Sequence, residues 1–253
     1  MGRGNSKVVP QATRVTTPTT PPTPQEVAKG NILPGGGVAY DDFKNMTDDE
    51  KADVVEKALG VGLPAFLDDS GIQKLAYFTG MKEKPTVVAD DALDKMSGTE
   101  LYRTVNNAYN RRTDIGYTSK DIAKQITDGD FTMYSDSGGS AHGKAIYFAD
   151  NFGGSAAYGN GRSDDLMIRA KITSGNVISE RSLDTQFRNA LGRGDKLAVA
   201  CSKADWSSQK NLYALAKGYD VVQAGNGYNM VLKRSALTVS SKTINPKGLT
   251  RWQ

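Results

Sequence analysis

The segment from Gly143 to Tyr158, Gly-Lys-Ala-Ile-Tyr-Phe-Ala-Asp-Asn-Phe-Gly-Gly-Ser-Ala-Ala-Tyr, concentrates groups able to hold a flat ligand. A glycine opens it, an aromatic strand carries Tyr147, a glycine pair comes next, and Ser155 and Tyr158 stand three positions apart. Glycines let backbone approach a ligand closely and aromatic side chains offer flat apolar faces, so a planar heteroaromatic ring suits such a slot. The same residues also read as a core strand followed by a glycine turn. Residue types alone leave both readings open.

Scarcity narrows the other chemistries. Cys201 is the sole cysteine and His142 the sole histidine. An internal disulfide, a cysteine zinc site and a multi-histidine metal site are therefore excluded, and Ser-His-Asp catalysis survives only if His142 serves. No metal site is expected, although carboxylate sites stay open. The formal charge is +4, but residues 1–36 hold four basic residues against Glu26, a local +3 that leaves +1 for the rest. A protein that binds nucleic acid by neutralising phosphates needs a concentrated basic face, and no run here supplies one. No apolar run approaches 18 residues and no apolar stretch follows the first basic residues, so neither a membrane span nor a secretory signal is expected.

The elements that must position these groups read as an α+β domain with extensions. Residues 1–37 form a Thr/Pro/Gly-rich tail, too poor in apolar side chains to offset the entropy of ordering, and disorder is expected there. Residues 38–98 read as a small helical lead-in, opened by the capping box Thr47-Asp-Asp-Glu50 with a helix to about Leu59. The main domain spans 99–253. Its predicted elements are a strand over Leu101–Val105, a helix from Thr118 or Ser119 to Thr127, a strand over Ala145–Ala149, and strands over 165–172 and 176–179 joined by a Ser174-Gly175 hairpin turn. Helices over Ser182–Leu191 and Ser207–Lys217, closed by Gly192 and Gly218, precede strands over Tyr219–Gln223 and Tyr228–Lys233.

The Gly143–Tyr158 segment resembles, without a gap, the nicotinamide-pocket signature of the poly(ADP-ribose) polymerases, Gly-Lys-Gly-Ile-Tyr-Phe-Ala-Asp followed by Ser-Lys-Ser-x-x-Tyr. The resemblance implies an ADP-ribosyltransferase fold, a split β-sheet core with helices. It also implies NAD as the substrate, with Tyr147 lining the pocket, Ser155 binding the nicotinamide carboxamide, and Tyr158 stacking on the ring. Leu101-Tyr-Arg103-Thr104 is similar to the first-strand element of the arginine class, so Arg103 would contact ribose or phosphate oxygens. Alone on a strand, an arginine is usually a surface ion-pair partner. Thr104 departs from the family pattern by replacing the glycine whose backbone grips nicotinamide. Tyr228 falls where the family carries a late-strand glutamate, as in some mono-ADP-ribosylating members. Gly143 opens the pocket, and His142, at the end of the polar stretch Tyr134–His142, is placed like part of a loop over NAD. Glu180, the one glutamate after Tyr158, reads as a surface residue.

Taken together, these likenesses imply an NAD-dependent mono-ADP-ribosyltransferase with Arg103, Tyr147 and Tyr228 as its catalytic set and Thr104, His142, Gly143, Ser155 and Tyr158 around the dinucleotide. The acceptor would be a protein, with nucleic acid open as a substrate. The Thr/Pro tail and helical lead-in ahead of such a domain look like phage-encoded members of the family, so the host cytoplasm or a virion is the expected location and the tail could dock in a larger assembly. The competing readings are a non-catalytic binding or virion protein on the same fold and an NAD glycohydrolase.

Overall fold

Helices α1 (Tyr40–Asn45) and α2 (Asp48–Gly60) open the computed structural model, which describes residues 40–60, 84–105, 118–128, 145–159, 161, 163–204 and 209–253. The Thr/Pro/Gly tail over 1–37, His142 and Gly143 lie outside the described residues. α2 starts where the capping box places it. Thr47 Oγ1 accepts from the Glu50 amide at 3.3 Å, and Glu50 Oε2 accepts from the Thr47 amide at 2.8 Å. Those bonds satisfy amides that a helix start otherwise leaves unpaired, and they hold the Glu50 carboxyl below its ordinary range. Phe43, Val54 and Val55 of these helices are fully buried, in one core with the sheet.

Next come β1 (Thr86–Val88), the short helix α3 (Asp90–Asp94), β2 (Thr99–Val105), α4 (Ser119–Asp128), β3 (Ile146–Ala149) and α5 (Phe152–Gly159). α4 repeats the capping box, with Thr118 and Asp121 exchanging bonds at 2.7 and 3.2 Å. The stretch 38–98 is thus not purely helical: β1 pairs parallel with the last strand of the main sheet through Thr86↔Thr238 to Val88↔Ser240. Three residues are too few for a period-2 alternation to declare itself.

The chain continues through β4 (Leu166–Ile172), β5 (Val177–Ser179), α6 (Glu180–Gly192), α7 (Lys196–Ser202), α8 (Gln209–Ala216), β6 (Val221–Ala224) and β7 (Tyr228–Val231), then a 3-10 turn over Arg234–Ala236 and β8 (Leu237–Ile244). The eight strands form one mixed sheet in the order β1-β8-β4-β2-β3-β7-β6-β5, so the protein is α+β. Among the described residues, seven register pairs bind β2 to β4, but only Tyr102↔Ala149 binds β2 to β3. Within those residues the sheet is two four-stranded halves joined by that one bridge. Phe148 and Ile146 of β3 and Met167 and Ile168 of β4, on the two strands that flank β2, are buried, each contributing about 1.5–3 kcal/mol of transfer free energy.

The Ser174-Gly175 hairpin does not form. β5 pairs parallel with β6 at the far edge of the sheet, whereas β4 lies between β8 and β2. Residues 173–176 are instead a crossover, fixed where the Asn176 amide donates to the Asp220 carboxylate at 2.7 Å. Gly175 turns there at φ +92°, and a Cβ would stand 2.7 Å from that carboxylate. α6 also ends differently from expectation. Gly192 is its last residue, and the left-handed glycine beyond it is Gly194 (φ +71°), after which Asp195 caps α7 by accepting from the Ala198 amide. No described helix is long and apolar enough to cross a membrane.

Candidate functional site

α5 is built on a poor helix sequence, Phe-Gly-Gly-Ser-Ala-Ala-Tyr-Gly, and its start explains how. The Asn151 side chain accepts from the Gly154 amide at 2.7 Å, an N-cap that offsets part of the glycine penalty. A Cβ at Gly154 would come within 3.2 Å of that same side chain, so glycine there lets the cap close. At the other end, Gly159 is pressed against the sheet: a Cβ would meet Asp165 Oδ2 at 2.6 Å and Thr104 Cγ2 at 2.8 Å. The two glycine-rich ends lay the helix close across β2 and β3.

That placement brings Ser155 to β2. Its Oγ lies 3.0 Å from Thr104 Oγ1, both side chains are buried, and either hydroxyl can donate. Tyr158, three residues on, is 52% exposed and meets the Tyr228 ring edge-on, with centroids 5.5 Å apart and planes at 87°. Tyr228 pairs with Ala149 and Met230 with Tyr147, so by strand periodicity Tyr147 and Tyr228 project from the same face on neighbouring strands. Arg103 reaches across the seam from β2, its Nη1 donating to the Tyr147 carbonyl at 2.6 Å. The six described site residues thus meet in three pairs, Arg103 with Tyr147, Thr104 with Ser155, and Tyr158 with Tyr228.

The electrostatics favour neutral phenols. Burial pushes the Tyr147 phenol well above its ordinary value, and the charge of Glu180 acts in the same direction. Glu180, read from the sequence as a surface residue, opens α6 with its side chain 21% exposed and lies 3.7 Å from Lys210. Burial also lifts the Tyr102 phenol, aided by a hydrogen bond with Glu100 and that residue's charge, to about 12. The β3–α5 corner is tied to the turn before Tyr228, since the Asp150 amide donates to the Gly227 carbonyl at 2.9 Å. Gly227 sits at φ +84°, a conformation glycine adopts without strain.

Sequence reasoning missed two residues here. Tyr102 bridges β2 to β3 through Ala149 and packs edge-on against Phe152, a role that nothing in its local sequence signals. Asp165 is a fully buried carboxylate behind Gly159, and the only hint of it was an acidic pair at the head of an apolar strand. Among the described residues no group of three or more His, Cys, Asp or Glu could hold a metal ion. The paired groups are hydroxyls, aromatic rings and one guanidinium, types that can bind an amide, stack a flat ring and contact an oxyanion. No protein-family model, curated protein or solved structure matches this chain.

Proposed function

We propose that this chain is an NAD-dependent mono-ADP-ribosyltransferase, moving ADP-ribose from NAD to a protein acceptor, or to nucleic acid, with release of nicotinamide. The observation that carries the reading is the meeting of Thr104 and Ser155 as a buried hydroxyl pair beside the half-exposed Tyr158 and its partner Tyr228. Two hydroxyls side by side offer donors and acceptors to a carboxamide. The Thr104 hydroxyl stands next to Ser155, on the carboxamide side, and supplies a polar group that a glycine at this position would lack.

In this reading Tyr158 stacks on the nicotinamide ring, and Tyr147, held neutral by burial, lines the slot beside it. Arg103, anchored on the Tyr147 carbonyl, steers the ribose or phosphate oxygens through its planar fork. Cleavage of the bond between ribose and nicotinamide sends its electron pair to the departing ring and leaves positive charge on the sugar, which the acceptor then takes up. Positioning is the protein's main contribution to such a step, and a carboxylate acceptor needs no base. Tyr228 stands at the acceptor side and favours transfer of a single unit.

The test is to incubate the purified chain with labelled NAD and cell lysate. Labelled protein or nucleic acid together with free nicotinamide, both lost in Tyr158→Ala, is the expected result. Free nicotinamide alone would identify a glycohydrolase. Neither product would leave a non-catalytic binding protein and overturn the proposal.

A further inference from the structure

Arg169, in the middle of β4, is 4% exposed and sits among three carboxylates: Asp94, in close contact, Glu100 at 3.1 Å and Asp90 at 3.8 Å. A buried guanidinium needs such partners. Trp252 covers it, with the guanidinium carbon 5.5 Å from the ring centroid, while the indole N–H donates to Asp90 Oδ2 at 2.9 Å. Ser240 donates to the other Asp90 oxygen at 2.8 Å, and Lys242 lies 3.7 Å from Asp90 and also donates to the Gln253 carbonyl. The residues beyond β8 are thereby clasped back onto the sheet.

The clasp does not end at Arg169. Trp252 also packs on Tyr102, with ring centroids 6.3 Å apart, and Tyr102 packs edge-on against Phe152 at 5.9 Å. Phe152 is the first residue of α5 and is 8% exposed, and Tyr102 pairs with Ala149 to bridge the two sheet halves. Three rings therefore run from the Arg169 cluster to the helix that carries Ser155 and Tyr158.

We propose that Trp252 is a positioning residue for the candidate site carried by α5. Seated on Arg169, it fixes the Tyr102 ring, and Tyr102 through Phe152 fixes the first turn of α5 and with it the Ser155 hydroxyl and the Tyr158 face. The ligand invoked rests on the function proposed above; the coupling between Trp252 and α5 does not. A ring chain of this kind has the arrangement needed to carry coupling between two places, and measurement supplies the proof.

The experiment compares the full chain with Trp252→Ala, Trp252→Phe and Tyr102→Leu by hydrogen exchange and by nicotinamide titration. In Trp252→Ala the amides of 152–159 should exchange faster while those of α2 keep their wild-type rates, and nicotinamide should bind about 2- to 12-fold more weakly, the range of one lost aromatic contact. Trp252→Phe keeps a ring over Arg169 and should restore most of both. Tyr102→Leu should loosen α5 with Trp252 still in place, and it decides the matter if Trp252→Ala does not fold. Unchanged α5 exchange, acceleration spread equally over α2 and α5, or no rescue by Trp252→Phe would overturn the proposal. If the wild-type chain binds no nicotinamide, the pocket reading fails, and the exchange comparison still decides the coupling.

Discussion

Truncation of Tyr158 to alanine separates a binding role from a packing role. The ring is 52% exposed and meets the Tyr228 ring edge-on, with centroids 5.5 Å apart. Losing such an edge contact costs stability about 0.5–1.5 kcal/mol. Phe148, one residue beyond Tyr147 and 1% exposed, provides the contrast: its truncation empties core volume and should cost about 3–5 kcal/mol. Binding should reverse the order. If Tyr158 is the stacking face for nicotinamide, its loss should remove about 1–3 kcal/mol of affinity, roughly 5- to 150-fold in Kd. Urea unfolding measures the first quantity, and calorimetric titration with NAD and nicotinamide the second. Tyr158→Phe retains the ring and should retain affinity. Wild-type affinity in Tyr158→Ala, with a folded protein, would refute the assignment of this face to the ring.

Other outcomes rest on the same contacts. Gly159→Ala puts a methyl 2.6 Å from Asp165 Oδ2 and 2.8 Å from Thr104 Cγ2, so α5 must retreat at a cost of about 1–3 kcal/mol, with weaker nicotinamide binding; Gly192→Ala, with nothing within 4 Å, should stabilise by a few tenths to about 1 kcal/mol. Equal melting temperatures for the two variants would contradict the packing described. Arg103→Ala removes a charged donor from the Tyr147 carbonyl and should cost about 1.5–3 kcal/mol in denaturant, as well as impairing NAD turnover. For Asp90, burial alone would raise the carboxyl. Hydrogen bonds from Trp252 and Ser240, with the charges of Arg169 and Lys242, outweigh it and hold the group below the ordinary 3.8. A depressed carboxyl stabilises the fold above its unfolded value, and that stability is lost as pH falls through the folded one. Asp90→Asn should therefore show a shallower loss of stability than wild type as pH falls below about 4, and parallel acid limbs would contradict this.

Much of the local architecture was legible because it is written in contiguous residues. Thr47 with Glu50 and Thr118 with Asp121 close two capping boxes in sequences four residues long. Elements that escaped notice lack such signals. β8 is apolar only toward its start, its later residues 241–243 are polar and exposed, and its place in the sheet comes from partners on β4 and β1 far away in the chain. α5 hides behind two glycines, with Asn151 as its one clue. The Ser174-Gly175 turn carried a genuine turn signal, but a turn residue says nothing about which strands it joins, and Asp220 redirects this one. The site shows the same limit. Ser155, Tyr158 and Tyr147 could be chosen from one stretch of chain, but the hydroxyl contact of Ser155 with Thr104 and the reach of Arg103 across to Tyr147 depend on strand order. The partial burial of Glu180 was equally hidden, because Lys210, which lies 3.7 Å from it, comes from α8, far along the chain.

The pairing of β1 with β8 has a practical consequence for anyone trimming the chain. A fragment beginning at Thr99 would lack β1 and bare the β8 backbone from Thr238 to Ser240. It would also lose Phe43, Val54 and Val55 from the shared core. An uncovered strand edge beside exposed apolar surface is a template for self-association. Such a fragment should therefore aggregate on expression, whereas one that begins before Tyr40 should stay monodisperse in size-exclusion chromatography.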